Sequence, residues 1–272
     1  MFPAEAAGAS TVRRRKGLLL RLGRACAFAV SLGHALSCSS AAPASPSGPD
    51  ASSGAIDGST RRCRTYAASF THLSMTPSGA IDTMVHCSFD VGARTMACSH
   101  VQTSAQQDCR LEFETATTYA SVADFLGESI GNTRAMQMAR RSVVAPPAEC
   151  PVSSITDATT SYAYDVARRL LLVTTTSEGG PAVVTSYVLW DGLGRPTLGF
   201  VTTGGRSSAV VSYVYDDPGR SYTQILTPSG GQQLTTVVTY DTDGLLLRSQ
   251  EESAEGPVDV LFTTGSRTQV CQ

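Results

Sequence analysis

Apolar and small polar residues alternate through much of the second half of the chain, as in Val210-Val211-Ser212-Tyr213-Val214-Tyr215. A period of two places successive side chains on opposite faces of a pleat, so it predicts half-buried strands. The runs stop at turn clusters such as Gly179-Gly180-Pro181, Gly204-Gly205 and Pro228-Ser229-Gly230-Gly231. Shorter runs of the same kind, Thr65 to Met75, Asp82 to Phe89, Arg94 to Val101 and Cys109 to Thr117, extend the predicted meander upstream over 63–117. The rhythm breaks after Tyr119. Residues 118–150 read as an irregular insertion, in which Asn132-Thr133 offers an N-cap and Arg134 to Arg141 predicts a short helix near 132–141.

An internal repeat is laid over the alternation. An aromatic residue followed by Asp occurs as Tyr164-Asp165, Trp190-Asp191, Tyr215-Asp216 and Tyr240-Asp241, at intervals of 26, 25 and 25 residues. A fixed period of this size marks a chain assembled from one supersecondary unit. Around each pair the template is Tyr-x-aromatic-Asp-x-x-Gly-Arg, with Gly194-Arg195, Gly219-Arg220 and Gly244 supplying its end. The Asp carboxylate can accept backbone amides two residues on, and Gly tolerates the positive φ of a tight corner, so each period predicts a hairpin plus a return turn. Cys87-Ser88-Phe89-Asp90-Val91-Gly92-Ala93-Arg94 is a degenerate upstream version.

This template resembles the YD repeat of the RHS (rearrangement hotspot) and teneurin-like proteins, over about Tyr162 to Gln250. The first copy carries Arg168 in place of Gly and the last Leu245 in place of Arg. The resemblance implies an all-β fold, an antiparallel β-meander of hairpin repeats forming a long curved sheet or incomplete barrel. It does not extend to the self-cleaving core of large RHS shells, because Asp217-Pro218-Gly219-Arg220 has a different order from Asp-Pro-x-Gly and lies inside a repeat.

The N-terminal segment reads as an address. Arg13-Arg14-Arg15-Lys16 precedes the apolar stretch Leu18 to Leu36, which predicts a secretory signal over 1–37. Ala35-Leu36-Ser37-Cys38 resembles a bacterial lipobox, implying lipidation at Cys38; ordinary cleavage after Ala42 or Ala44 is the alternative. Residues 38–62 are Ser, Ala, Pro, Gly and Asp with little to bury, and predict a disordered linker before a β-domain over 63–272. Within that domain the clear repeats are expected over 151–250, and a C-terminal strand and tail over 251–272. Ser39 after the Cys implies, on the same resemblance, the outer membrane of a Gram-negative cell.

An exported chain can keep disulfides, and six cysteines remain beyond Cys26 and Cys38. Cys87 and Cys98 flank a predicted turn and are expected to bridge; Cys150 and Cys271 are placed to tie the ends of the repeat block. A metal site of His86, Cys87, Cys98 and His100 is the competing reading. Removing residues 1–37 takes away six basic side chains and one acidic one, so the charge moves from −2 to −2 − 6 + 1 = −7, with no lysine after Lys16. Such a chain is a poor partner for nucleic acid, whose affinity rests on Lys and Arg.

Catalytic patterns are scarce. No Gly-x-Ser-x-Gly or His-Glu-x-x-His occurs, and Asp165, Asp191, Asp216 and Asp241 occupy equivalent corner positions where a turn role accounts for each. The expectation is a non-enzymatic, cofactor-free surface module binding a glycan or an envelope protein, touching the membrane only through its lipid anchor. Tyr162, Tyr187, Tyr213 and Tyr222 are its candidate solvent-facing aromatics. A purely structural envelope lipoprotein or an accessory of an RHS delivery system is the alternative, and an extracellular hydrolase a third. The repeat also predicts an open edge strand near Val258 to Thr264.

Overall fold

The computed structural model describes residues 63–76, 79–104, 109–126, 134–144, 157–252 and 256–271. The expected signal, linker, Cys38 and Cys150 lie outside the described residues. Within them the chain is all β save one short helix: β1 (Cys63–Thr76), β2 (Gly79–Asp90), β3 (Thr95–Ser104), β4 (Cys109–Tyr119), α1 (Val122–Leu126), β5 (Ala135–Val144), β6 (Ala158–Tyr164), β7 (Leu170–Ser177), β8 (Val183–Trp190), β9 (Pro196–Thr203), β10 (Arg206–Asp216), β11 (Ser221–Pro228), β12 (Leu234–Tyr240), β13 (Leu246–Glu252) and β14 (Val258–Cys271). Every strand pairs antiparallel with its sequence neighbours.

The sheet is closed, not an open curve. β1 pairs with β14 from Cys63↔Cys271 to Met75↔Asp259, which completes a barrel. Val258 to Thr264, expected as an edge, is sealed between β13 and β1. The physical gain is that closure leaves no row of unpaired backbone groups.

The helix expected near 132–141 is also overturned. Residues 135–144 form β5, paired to β4 through Ala116↔Ala139 and to β6 through Met138↔Thr160. Without this strand the ladder from β4 to β6 would be broken, and tertiary pairing outweighs a helix propensity worth tenths of a kcal/mol per residue. The helix lies earlier, at α1. There Phe125 is fully buried, its ring 5.5 Å from that of Tyr66 and 5.1 Å from that of Tyr119, and Tyr66 donates its hydroxyl to the Phe125 carbonyl.

The core is the barrel interior. One buried cluster gathers Tyr66, Val85, Met96, Tyr119, Phe125 and Val270, and a second gathers Val173, Tyr187, Val201, Val211, Tyr213, Tyr222, Val238 and Tyr240; Tyr162 packs against both. Gly199 of β9 lies between Tyr187 and Val211 in register, and a Cβ there would come 2.9 Å from the Tyr187 ring. The glycine makes room for that ring. Cys87 and Cys98 form a disulfide across β2 and β3; Cys109 and Cys271 are each in a disulfide too, not with one another.

Candidate functional site

The aromatic-Asp motifs lie where β6, β8, β10 and β12 end, so four hairpin corners share one end of the barrel. Three corners are built alike. Arg168, Gly194 and Gly244 donate their amides to the carbonyls of Asp165, Asp191 and Asp241, and these three residues have φ of 66°, 78° and 72°. Each Asp side chain then closes its own corner: Asp165 accepts the Arg169 amide at 2.7 Å, Asp191 the Arg195 amide at 2.8 Å and Asp241 the Leu245 amide at 2.7 Å. The Arg169 amide is the main reason that the Asp165 carboxyl is held below the usual carboxylate range.

The third copy departs from the template. Its left-handed residue is Arg220, φ 49°, and its corner bond runs from the Arg220 amide to Asp217; a Cβ on Gly219 would instead strike the Asp216 carboxylate. Gly219 is therefore not the positive-φ glycine that the alignment of motifs assigns. The same wider corner closes β2 and β3, where Arg94 has φ 55° and bonds to Val91, and the Ala93 amide meets Asp90. One extra residue separates the two corner types, and the ladder compensates. Where the corner is tight, the returning strand bulges, as between Ala163 and Tyr164, between Leu189 and Trp190, and between Thr239 and Tyr240; at the wide corners the register runs unbroken.

The aromatic of each motif reaches the neighbouring hairpin. Tyr164 donates its hydroxyl to the Ala135 carbonyl at 3.0 Å, Trp190 its indole N–H to Leu170 at 3.0 Å, and Tyr215 its hydroxyl to Pro196 at 3.0 Å. Each acceptor opens a strand just before a bulge, where the ladder is interrupted, so the aromatic satisfies backbone that pairing leaves over. The motif arginines continue the chain of contacts: Arg169 lies 4.6 Å over the Trp190 ring and Arg195 4.0 Å over the Tyr215 ring. Arg195 also grips Asp191 at 2.7 Å and Asp217 at 2.5 and 3.1 Å, and that hydrogen-bonded guanidinium pulls the Asp217 carboxyl down.

Arg168, the departure in the first copy, has a use. Its guanidinium reaches Asp124 of α1 at 2.5 Å, and Arg134 reaches the same buried carboxylate at 3.1 Å. A glycine would relieve the backbone but could not hold α1.

The tyrosines expected on the solvent face point inward. Tyr187, Tyr213 and Tyr222 are buried, and with Tyr240 they form a row with ring centroids 6.1, 6.2 and 6.1 Å apart. Burial drives the Tyr187 hydroxyl far above its usual titration range. The alternation that placed aromatics on one face was correct in period; the face is the core, because that is where rings bury most apolar area. On the other side of the interior, His72, Thr83 and Gln102 stand in one cross-strand row, and His100 stacks 4.3 Å from Phe113 while bonding Thr115 at 3.0 Å. Cys87 and Cys98 have spent their sulfurs on each other, and His86 faces outward while His100 faces in, so the metal reading loses its ligands. Among the described residues no group of His, Cys, Asp and Glu is arranged to hold a metal ion.

The outer face is where the unassigned chemistry lies. Strands β6 to β12 contain no acidic or basic side chain except Arg206 and Asp216, the two end residues of β10. Their outward positions show hydroxyls and aliphatics together, including Leu171, Val188, Leu189, Phe200, Val210 and Val214. Outward positions of β4 and β5 instead carry Arg110, Glu112, Glu114 and Arg141.

No family model and no curated protein matches the sequence. Among solved structures, the chain is similar to a porin-like protein from Bacteroides uniformis, at 8% identity and a TM-score of 0.37, over 73% of this chain and 96% of that one.

Proposed function

We propose that the chain is an exported envelope protein, lipid-anchored at Cys38, whose closed barrel serves as a non-catalytic module for binding another protein. The observation that carries this reading is the outer face of seven adjacent strands free of charge between their ends. Charged residues are depleted at the centre of protein interfaces because stripping water from them is costly. Glycan binding loses support, since Tyr187, Tyr213 and Tyr222, the rings that would stack on a sugar, are buried. Catalysis by the motif carboxylates is disfavoured for a similar reason: Asp165, Asp191 and Asp241 are occupied by the amides and guanidinia of the corners.

A water-filled pore is disfavoured by polarity. A membrane-spanning barrel is apolar outside and polar within, on strands of about 9–11 residues. Here the interior holds the apolar clusters, half of the outer face is hydroxyl, and β6 to β9 have seven or eight residues each. Metabolic labelling with a palmitate analogue tests the anchor: wild type takes up label and sediments with outer membranes, and a Cys38→Ala chain that still took up label would remove it. Photo-crosslinking from Val214 in intact cells tests the module, which predicts an adduct there; an absence of any adduct would leave a structural envelope protein.

A further inference from the structure

The corners that end β6 and β8 carry apolar residues at their tips. Val166, next to Asp165, and Leu193, between Gly192 and Gly194, are 105% and 65% exposed. The corners need neither side chain, since backbone amides and the Asp carboxylates close them. Behind the tips, Leu171, the second residue of β7, and Val188 and Leu189, near the end of β8, also face solvent. At the opposite end of these strands the return turns read Gly179-Gly180-Pro181 and Gly204-Gly205, with no exposed Val, Leu, Ile, Met or aromatic side chain. Adjacent corners stand two strands apart, about 10 Å.

The carboxylates around the tips are neutralised in place. Arg169 holds Asp165 at 2.7 Å, and Arg195 holds Asp191 at 2.7 Å and Asp217 at 2.5 Å. This end therefore presents little net repulsion to anionic headgroups, although the exported chain is expected to carry −7. The chain between Cys38 and the barrel arrives at the same end. β2 finishes at the Asp90 corner, on the side of the barrel where β6 and β8 finish, so its antiparallel neighbour β1 starts there, at Cys63. From Cys38 to Cys63 is 63 − 38 = 25 residues, no more than about 90 Å of chain.

We infer that the corners of β6 and β8 dock on the surface of the bilayer that holds the anchor, with Val166 and Leu193 entering the headgroup zone. The inference rests on the lipid anchor proposed at Cys38 and gives the barrel a second contact with the membrane. Tips that project from corners need no flat area, so the curvature of the barrel does not oppose the contact. Two aliphatic side chains hold a membrane weakly by themselves. A tethered contact is intramolecular, however, and profits from a local concentration far above that of free protein. Arginines suit this depth, because their stems lie along apolar matter while the charged heads stay at the level of water and phosphate.

Trp190, the one tryptophan of the chain, ends β8 three residues before Leu193 and serves as the reporter. Full-length protein extracted from membranes is reconstituted into phosphatidylethanolamine and phosphatidylglycerol vesicles whose acyl chains carry bromine close to the headgroups, a short-range quencher of indole emission. Wild type is expected to float with the vesicles and to lose Trp190 emission relative to unbrominated vesicles. Val166→Asp combined with Leu193→Asp should float equally and show that loss reduced at least twofold, while Thr227→Asp, exposed toward the other end of β11, should match wild type. Correct folding of each variant is read from the intact Cys87–Cys98 bond on a non-reducing gel. Wild type that floats without quenching, or a double variant quenched like wild type, overturns the docking and leaves the anchor standing. A wild-type chain that does not float overturns the anchor and the docking with it.

Discussion

The guanidinium of Arg195 lies 4.0 Å over the ring of Tyr215, in the repeat that follows its own, while its Nε holds Asp191 at 2.7 Å and its terminal nitrogens hold Asp217. One side chain therefore links two corners and an aromatic, and it is almost fully buried. Arg195→Ala should cost about 3 kcal/mol of unfolding free energy, because it strips two carboxylates of their partner and uncovers a ring. Arg195→Lys should cost less than half of that, keeping the charge but losing the fork and the stack. Urea unfolding with the disulfides intact measures both, and a Lys variant with the midpoint of wild type would show that the planar geometry is irrelevant.

Gly199 should be close to irreplaceable. An added Cβ would meet the Tyr187 ring at 2.9 Å, the Ser186 carbonyl at 3.1 Å and Val211 at 3.2 Å, all three in the flanking strands β8 and β10, which cannot easily move apart. Gly199→Ala is expected to destabilise by about 1–3 kcal/mol, the usual cost of overpacking. The double variant with Tyr187→Phe should not rescue it, since the clash is with the ring and not the hydroxyl.

Asp124 holds α1 against the barrel through Arg134 and Arg168. Asp124→Asn should loosen that contact and cost about 2 kcal/mol, leaving two guanidinia without their carboxylate. Hydrogen exchange of the Phe125 amide, which bonds to Ser121, reports the loosening locally. Arg168→Gly is expected to split the effects: easier backbone geometry at φ 66°, yet faster exchange at Phe125.

Acid should weaken the barrel before the carboxylates titrate. Burial lowers the pKa of His72 from 6.5 to about 4, against a smaller upward pull from Asp82, and that of His100 to about 3, with His72 and Arg140 adding to it. The unfolded chain then binds protons that the folded one refuses. Stability is full above pH 6.5 and falls as pH drops toward 4, by on the order of 3 kcal/mol for His72 alone. Unfolding free energies between pH 7 and 4.5 check the sign, and His72→Gln should flatten the slope.

Much of this architecture was legible in the residues. The period-two runs located strands, and the spacing of Tyr164, Trp190, Tyr215 and Tyr240 located the corners, because alternation and turn chemistry are local properties of the backbone. Cys87 and Cys98 were readable as a bridge for the same reason: they flank a short turn. Even the lack of charge inside strands β6 to β12, Arg206 and Asp216 at the ends of β10 apart, is written in the sequence, though nothing there says that those residues share one face of a barrel.

Three things depended on contacts distant in the chain. Whether Tyr187, Tyr213 and Tyr222 face solvent or core cannot be read from a period of two, which defines two faces without saying which one is enclosed. Residues 135–144 carry helix-forming side chains, and only the demand of β4 and β6 for a partner makes them a strand. Closure itself is the ladder that begins with Cys63 paired to Cys271, the first and last of the described residues. Strands, corners and their repetition follow from local residue order; inside against outside and sheet against barrel do not, because burial and edge pairing are settled only when residues about two hundred positions apart meet.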